Sequence, residues 1–118
     1  MTLLKPSPVL LLLLPLLLSV SQPAAALQIL DARDGDTVLG KISQKEVTRI
    51  SFERSRIRKI TGNAGEFVLE KDEEKGQIFI RPVSPESTKP INLFLTSERS
   101  TVALLLQPVD TPSDTIVI

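Results

Sequence analysis

Between Leu27 and Ile118 the apolar positions come in short alternating groups about every ten residues, each closed by Gly, Pro, Asp, Asn or Ser, with no sustained helical period. This pattern predicts an all-β fold, a small antiparallel β-sandwich of about eight or nine strands. Gln28 to Ala32 is the first strand, and Asp34, Gly35 and Asp36 make a tight turn into Thr37 to Ile42. Val47 to Glu53 follows, with Ile50 and Phe52 on one side and Arg49 and Ser51 on the other, and then a short strand from Ile57 to Thr61 that ends at Gly62 to Gly65. Thr115 to Ile118 is the last strand, after a turn at Thr111 to Ser113.

Two hairpins carry most of the pattern. Ile91 to Thr96 and Thr101 to Gln107 flank the polar Ser97, Glu98, Arg99 and Ser100. If those four residues form the loop, Thr96 faces Thr101, and the ladder sets Leu95 against Val102, Leu93 against Leu104 and Ile91 against Leu106. The opposite face pairs Phe94 with Ala103 and Asn92 with Leu105. The second strand is thus apolar on both sides, which predicts a cover over both. The other hairpin joins Glu66 to Lys71 with Gln77 to Arg81 around the charged Asp72 to Lys75. With Gly76 opposite Lys71 at positive φ, Leu69 meets Ile78, Phe67 meets Ile80 and Glu66 meets Arg81. Pro82, Pro85 and Pro90 bracket a linker between the two hairpins.

The start of the chain follows different rules. Met1 to Pro8 carries one positive side chain, Lys5, and Val9 to Val20 is almost pure leucine. That run falls short of the roughly 20 apolar residues of a membrane span. It reads as a secretory signal peptide over residues 1–26, with Ala24 and Ala26 as the small-residue cleavage pair and Leu27 as the first mature residue; the competing reading is an uncleaved anchor. No cysteine lies near that point, which excludes a lipoprotein. Residues 27–118 then form one small domain. The chain has 14 basic and 14 acidic residues, and only Lys5 precedes Leu27, so this segment carries a net charge of −1. Such a balance does not point to nucleic acid as a partner. With no cysteine for disulfides, the domain depends on its core, on a longer parent chain or on neighbours in an assembly.

The available chemistry is narrow. Without His, Cys, Tyr or Trp the chain lacks imidazole, thiolate and the usual zinc ligands, and it carries no phosphate-binding glycine pattern. We therefore expect no enzyme activity, no metal and no cofactor. Asp31, Asp34 and Asp36 do not have calcium-loop spacing and read as a turn. Arg54, Arg56, Arg58 and Lys59 put four positive charges within six residues. They are able to grip phosphate, or to serve as an electrostatic rim that pairs with Glu53 or with the Asp72 to Glu74 loop of a neighbouring copy. The weak aromatic content favours the rim.

Several segments, taken in order, resemble one family. Lys89-Pro90-Ile91-Asn92-Leu93-Phe94-Leu95-Thr96, a polar turn, Leu104-Leu105-Leu106 with Pro108, and Asp114-Thr115-Ile116-Val117-Ile118 are similar to the TraK family of F-type conjugative type IV secretion systems. Arg33-Asp34-Gly35-Asp36-Thr37, Val47-Thr48-Arg49-Ile50, Ile57 to Ile60, Gly65-Glu66-Phe67 and Phe79-Ile80-Arg81-Pro82 agree in order. The resemblance covers the N-terminal β-domain of that family, whose members continue into a second β-domain. It therefore implies a chain truncated after Ile118; the apolar ending by itself fits either a cut chain or a last strand that pairs inside the sheet and ends flush.

The resemblance implies a structural subunit of the periplasmic, outer-membrane-associated core complex, similar to secretin-like ring proteins. Such a subunit supports pilus assembly and plasmid DNA transfer. Implied partners are a TraV-like outer-membrane lipoprotein, a TraB-like envelope-spanning subunit and further copies of the chain in a ring, with no direct contact to nucleic acid. Phe94, Ala103 and Leu105 are the candidate interface, and Arg54, Arg56, Arg58 and Lys59 the candidate rim. The alternative is a secreted or periplasmic β-sandwich that binds a ligand or cell surface, a role that usually presents the Trp or Tyr this chain lacks.

Overall fold

Nine strands account for the regular structure in the computed structural model, which describes residues 27–118. They are β1 (Leu27–Ile29), β2 (Thr37–Ser43), β3 (Thr48–Ser51), β4 (Lys59–Gly62), β5 (Phe67–Asp72), β6 (Gln77–Pro82), β7 (Ile91–Thr96), β8 (Thr101–Val109) and β9 (Thr115–Val117). No helix occurs among the described residues. The expected leader and its Ala24 and Ala26 lie outside the described residues.

The strands form two sheets, one of five in the order β1-β9-β3-β6-β5 and one of four in the order β2-β8-β7-β4. Apart from the hairpins β5-β6 and β7-β8, each strand is followed by one in the other sheet. That alternation corrects one expectation, because the sandwich is mixed and not wholly antiparallel. β1 and β3 both pair parallel with β9, and β2 pairs parallel with β8. A tight turn joins only antiparallel neighbours, whereas parallel neighbours need a crossover, and here the crossover runs through the opposite sheet. The turn at Asp34 to Asp36 is present, with Gly35 at φ 88° and the Asp36 N–H donating to the Arg33 carbonyl at 2.9 Å. It feeds β2 into the four-stranded sheet and makes no hairpin with β1.

The β7-β8 hairpin has the expected register at every pair, from Ile91 opposite Leu106 to Thr96 opposite Thr101. Its loop is tied by Ser97, whose hydroxyl accepts from the Arg99 and Ser100 N–H groups at 3.0 and 3.1 Å. The β5-β6 hairpin differs from expectation. Leu69 lies opposite Ile80, Phe67 opposite Pro82 and Val68 opposite Arg81, a slip of two residues. The cause is the turn. Asp72 and Gln77 extend the ladder by one pair and bond through their side chains at 2.9 Å, while Gly76 leaves the ladder with φ 65°. A two-residue slip preserves the facing of every side chain, so Ile78 and Ile80 still point inward.

The core is almost wholly aliphatic. Ile50, Ile78, Ile80 and Ile116 come from the five-stranded sheet, and Ile42, Ile91, Leu93, Leu95, Val102, Leu104 and Leu106 from the four-stranded one; all are at most 1% exposed. Their alternation with outward residues is what the period of two along each strand requires. At one end the corner is fastened by polar groups. The buried Ser43 N–H donates to Thr48 Oγ1 at 3.1 Å and its hydroxyl to the Thr111 carbonyl at 2.7 Å, so the β2-β3 connection is tied to the β8-β9 connection. Neither of these buried side chains is left without a partner.

Candidate functional site

The outer face of the four-stranded sheet gathers the exposed apolar residues that the core does not use. Strand register lays Thr61, Phe94, Ala103 and Thr37 side by side across the sheet, and Asn92, Leu105 and Leu39 in the next row. Phe94 is 47% exposed, Leu105 36% and Leu39 69%, while Ala103 is half-buried between them. The expected cover over both faces of β8 is therefore absent among the described residues. Val102, Leu104 and Leu106 are buried on one side, and Leu105 is open on the other.

Two shallow depressions flank Leu105. One, of about 340 Å³, lies towards Phe94, Ala103 and the Asp34-Gly35 turn. The other, of about 320 Å³, lies towards Leu39, Lys41 and Gln107. Leu105 is the wall common to both, which makes the patch a continuous surface with relief. Exposed aliphatic and aromatic side chains thus share one face of the sheet.

Of these residues, Phe94, Ala103 and Leu105 are legible in the hairpin register. Leu39 is not singled out by the hairpin, because it lies on a different strand. Its signal was the alternation Val38, Gly40, Ile42, which turns those three residues inward and leaves Leu39 on the outer face beside Leu105.

The basic cluster is divided among several contacts. Arg56 Nη2 donates to the carbonyl oxygens of Glu73 and Glu74, both at 2.5 Å, so it clasps the β5-β6 turn of its own chain. Arg58 Nη2 stands 3.3 Å from Glu98 in the β7-β8 turn, with both side chains about half exposed. The backbone here bridges the two sheets. The Ile57 N–H donates to the Gly76 carbonyl at 2.9 Å and the Arg58 N–H to the Thr96 carbonyl at 2.7 Å. Arg54 is exposed in the bend before this bridge, and Lys59 is exposed at the start of β4. The acidic loop does meet the cluster, but within one chain and through peptide oxygens.

Three aspartates are engaged in turns. Asp34 Oδ1 accepts from the Thr101 N–H at 2.8 Å, and Asp36 Oδ2 from the Arg33 N–H at 2.8 Å. Asp72 accepts from Gln77 Nε2 at 2.9 Å and from the Lys75 N–H at 3.2 Å, and these bonds hold its carboxyl below the usual carboxylate range. Among the described residues no group of three or more His, Cys, Asp or Glu is placed to hold a metal ion.

The fold thus defines the class of the protein as an all-β sandwich of two mixed sheets with an open apolar face on the four-stranded one. The family described as the TraK N-terminal domain matches residues 31–118. This chain belongs to that family, a structural and non-enzymatic component of conjugative transfer associated with the cell envelope. No curated protein matches it.

Proposed function

We propose that this chain is a non-catalytic structural subunit of the periplasmic and outer-membrane core complex of a conjugative type IV secretion system, supporting pilus assembly and plasmid DNA transfer. The observation that carries the reading is the uncovered outer face of the four-stranded sheet, where Phe94 and Leu105 stand exposed around Ala103 in a member of the TraK N-terminal domain family. A solvated sheet face normally alternates to polar residues, and an apolar one is retained where another surface covers it. In this role Phe94, Ala103 and Leu105 pack against a neighbouring subunit of a ring. Arg54, Arg56, Arg58 and Lys59 form a basic border, with Arg56 and Arg58 partly neutralised by their own chain. The partners are a TraV-like outer-membrane lipoprotein and a TraB-like envelope-spanning subunit, and the chain reaches the periplasm by a signal peptide over residues 1–26 cleaved after Ala26.

The test is the double substitution Phe94→Asp and Leu105→Asp in the chain expressed alongside its transfer machinery, followed by recovery of the complex from an envelope extract. Both positions are exposed, so the far-ultraviolet circular dichroism of the variant stays that of the parent. The expected result is loss of the lipoprotein and the TraB-like subunit from the recovered complex and a fall in plasmid transfer of at least tenfold. An intact complex from a folded double variant overturns the assignment.

A further inference from the structure

The two sheets end in four edge strands, β1, β5, β2 and β4. Three are blunted in the ways that edges commonly are. β1 has 3 residues, β4 has 4 and begins at Lys59, and β5 closes on the charged Glu70, Lys71 and Asp72. β2 is the longest edge at 7 residues, and its outward Leu39 is 69% exposed.

In a parallel ladder alternate residues send both backbone groups to the neighbouring strand, and the others send both outward. Two contacts fix which residues of β2 face out. The Gln28 side chain takes both groups of Lys41, its Oε1 accepting from the N–H at 2.8 Å and its Nε2 donating to the carbonyl at 2.7 Å. The Ser43 N–H goes to Thr48 Oγ1. The outward residues are thus the odd-numbered ones. Lys41 and Ser43 are engaged by their own chain, which leaves Thr37 and Leu39 as consecutive outward residues.

We propose that this edge pairs with itself, joining two copies of the chain across a two-fold axis with Val38 opposite the partner's Val38. In that register Leu39 lies opposite the partner's Thr37 and Thr37 opposite the partner's Leu39. Four backbone hydrogen bonds form, and none requires Lys41. A register centred on Leu39 would bring Lys41 into the ladder, where Gln28 already holds its groups. Charge selects the same occupant and direction. Asp31, Asp34 and Asp36, against Arg33 alone, precede the strand, and Lys41 and Lys45 lie at its far end. Antiparallel self-pairing sets the acidic approach of each copy beside Lys41 of the other, whereas parallel addition would set like charges together. The Leu39 and Leu105 side chains of both copies then join in one band on the outer face. The contact is isologous and closes at two copies. It leaves Phe94, two strands further in, uncovered, and it does not rest on the ring reading.

The chain contains no cysteine, so single cysteines report the contact without background. Opposed non-hydrogen-bonded residues of an antiparallel pair are close enough for a disulfide. The full chain carrying Val38→Cys is expected to form a covalent dimer under mild oxidation, and Val68→Cys on the β5 edge and Leu105→Cys on the sheet face are expected not to. By sedimentation the cysteine-free chain is expected to show a concentration-dependent dimer, weakened at least tenfold by Leu39→Pro. The proline removes only an outward N–H, so the ladder to β8 survives. Lys41→Asp weakens the dimer at low salt, and the difference fades at high salt. A chain that stays monomeric with no Val38→Cys cross-link overturns the proposal. So does a dimer that cross-links as fast through Leu105→Cys, or one that Leu39→Pro, still folded by circular dichroism, leaves unchanged. If Leu39→Pro unfolds, the three-cysteine comparison decides alone.

Discussion

The Gln28 amide treats Lys41 as a strand neighbour would, accepting from its N–H at 2.8 Å and donating to its carbonyl at 2.7 Å, although the two residues belong to different sheets. Gln28 Nε2 also donates to Asp114 Oδ2 at 2.6 Å, so one side chain ties β1, β2 and the approach to β9. Replacing Gln28 with Ala is expected to lower stability by about 1–3 kcal/mol, read as a shift of the urea midpoint, because each bond contributes roughly 1 kcal/mol. Gln28→Glu loses the donor alone and places a carboxylate beside Asp114, so it is expected to fall at least as far.

Neighbouring leucines on β8 are expected to separate stability from the proposed assembly. Leu104 is fully buried and Leu105 is 36% exposed on the opposite face. Leu104→Ala is expected to cost about 2–5 kcal/mol through lost burial and the cavity it leaves. Leu105→Ala is expected to change stability by less than about 1 kcal/mol while reducing recovery of the assembled complex. Denaturant unfolding of the two variants checks the first contrast, and envelope pull-down the second.

Gly76 and Gly35 share a left-handed backbone but differ in surroundings. A Cβ on Gly76, at φ 65°, would come 2.6 Å from Arg56 Cβ and 3.0 Å from its Cα, whereas one on Gly35, at φ 88°, meets nothing within 4 Å. Gly35→Ala is expected to cost about 1 kcal/mol, the conformational term alone. Gly76→Ala adds displacement of Arg56 from the Glu73 and Glu74 carbonyls, for a loss of about 2–4 kcal/mol in thermal or chemical unfolding.

Acid is expected to loosen the β5-β6 turn. Hydrogen bonds from Gln77 and the Lys75 N–H favour the ionised form of Asp72 in the folded chain, so its folded pKa lies below the unfolded one. The stability this contributes is complete above the unfolded pKa and is lost as pH falls through the folded pKa. Asp72→Asn is therefore expected to lower stability near neutral pH and to flatten its decline in acid. Unfolding midpoints measured down the acidic limb check both.

Arg58 and Arg56 stand two residues apart and are expected to behave differently. The Arg58 pair with Glu98 is half exposed on both sides, so Arg58→Ala is expected to cost less than about 0.5 kcal/mol, and less still at high salt. Arg56→Ala releases two charge-assisted bonds to peptide carbonyls and is expected to cost about 1–2 kcal/mol. Paired salt-dependent melts distinguish them.

Local pattern carried the elements, and distance along the chain decided how far it reached. The β7-β8 register followed from a four-residue polar loop between two apolar runs, because such a loop leaves one way for Leu93 to meet Leu104. In the β5-β6 hairpin the charged turn and one glycine allowed two closures with the same facing, and only the Asp72–Gln77 contact separates them. Which strands neighbour β9 and β2 was not legible, since Thr115 and Leu27 meet across most of the chain and no turn links them. The same holds for the site. Phe94 and Leu105 fell out of one hairpin, while Leu39 reached them only through a parallel pairing.

The position of β9 bears on when this domain can fold. It sits between β1 and β3, so an interior position of the five-stranded sheet is filled by a segment that leaves the ribosome after both of its neighbours. Until Ile116 is available, Ile50 has no partner on that side and Leu27–Ile29 has no strand to join. The two hairpins form early from local contacts, but closure waits for contacts of very long sequence separation, which places folding on the slow, millisecond-to-second side. A domain ordered in this way keeps its five-stranded sheet open between β1 and β3 until β9 has been made, and becomes compact only then.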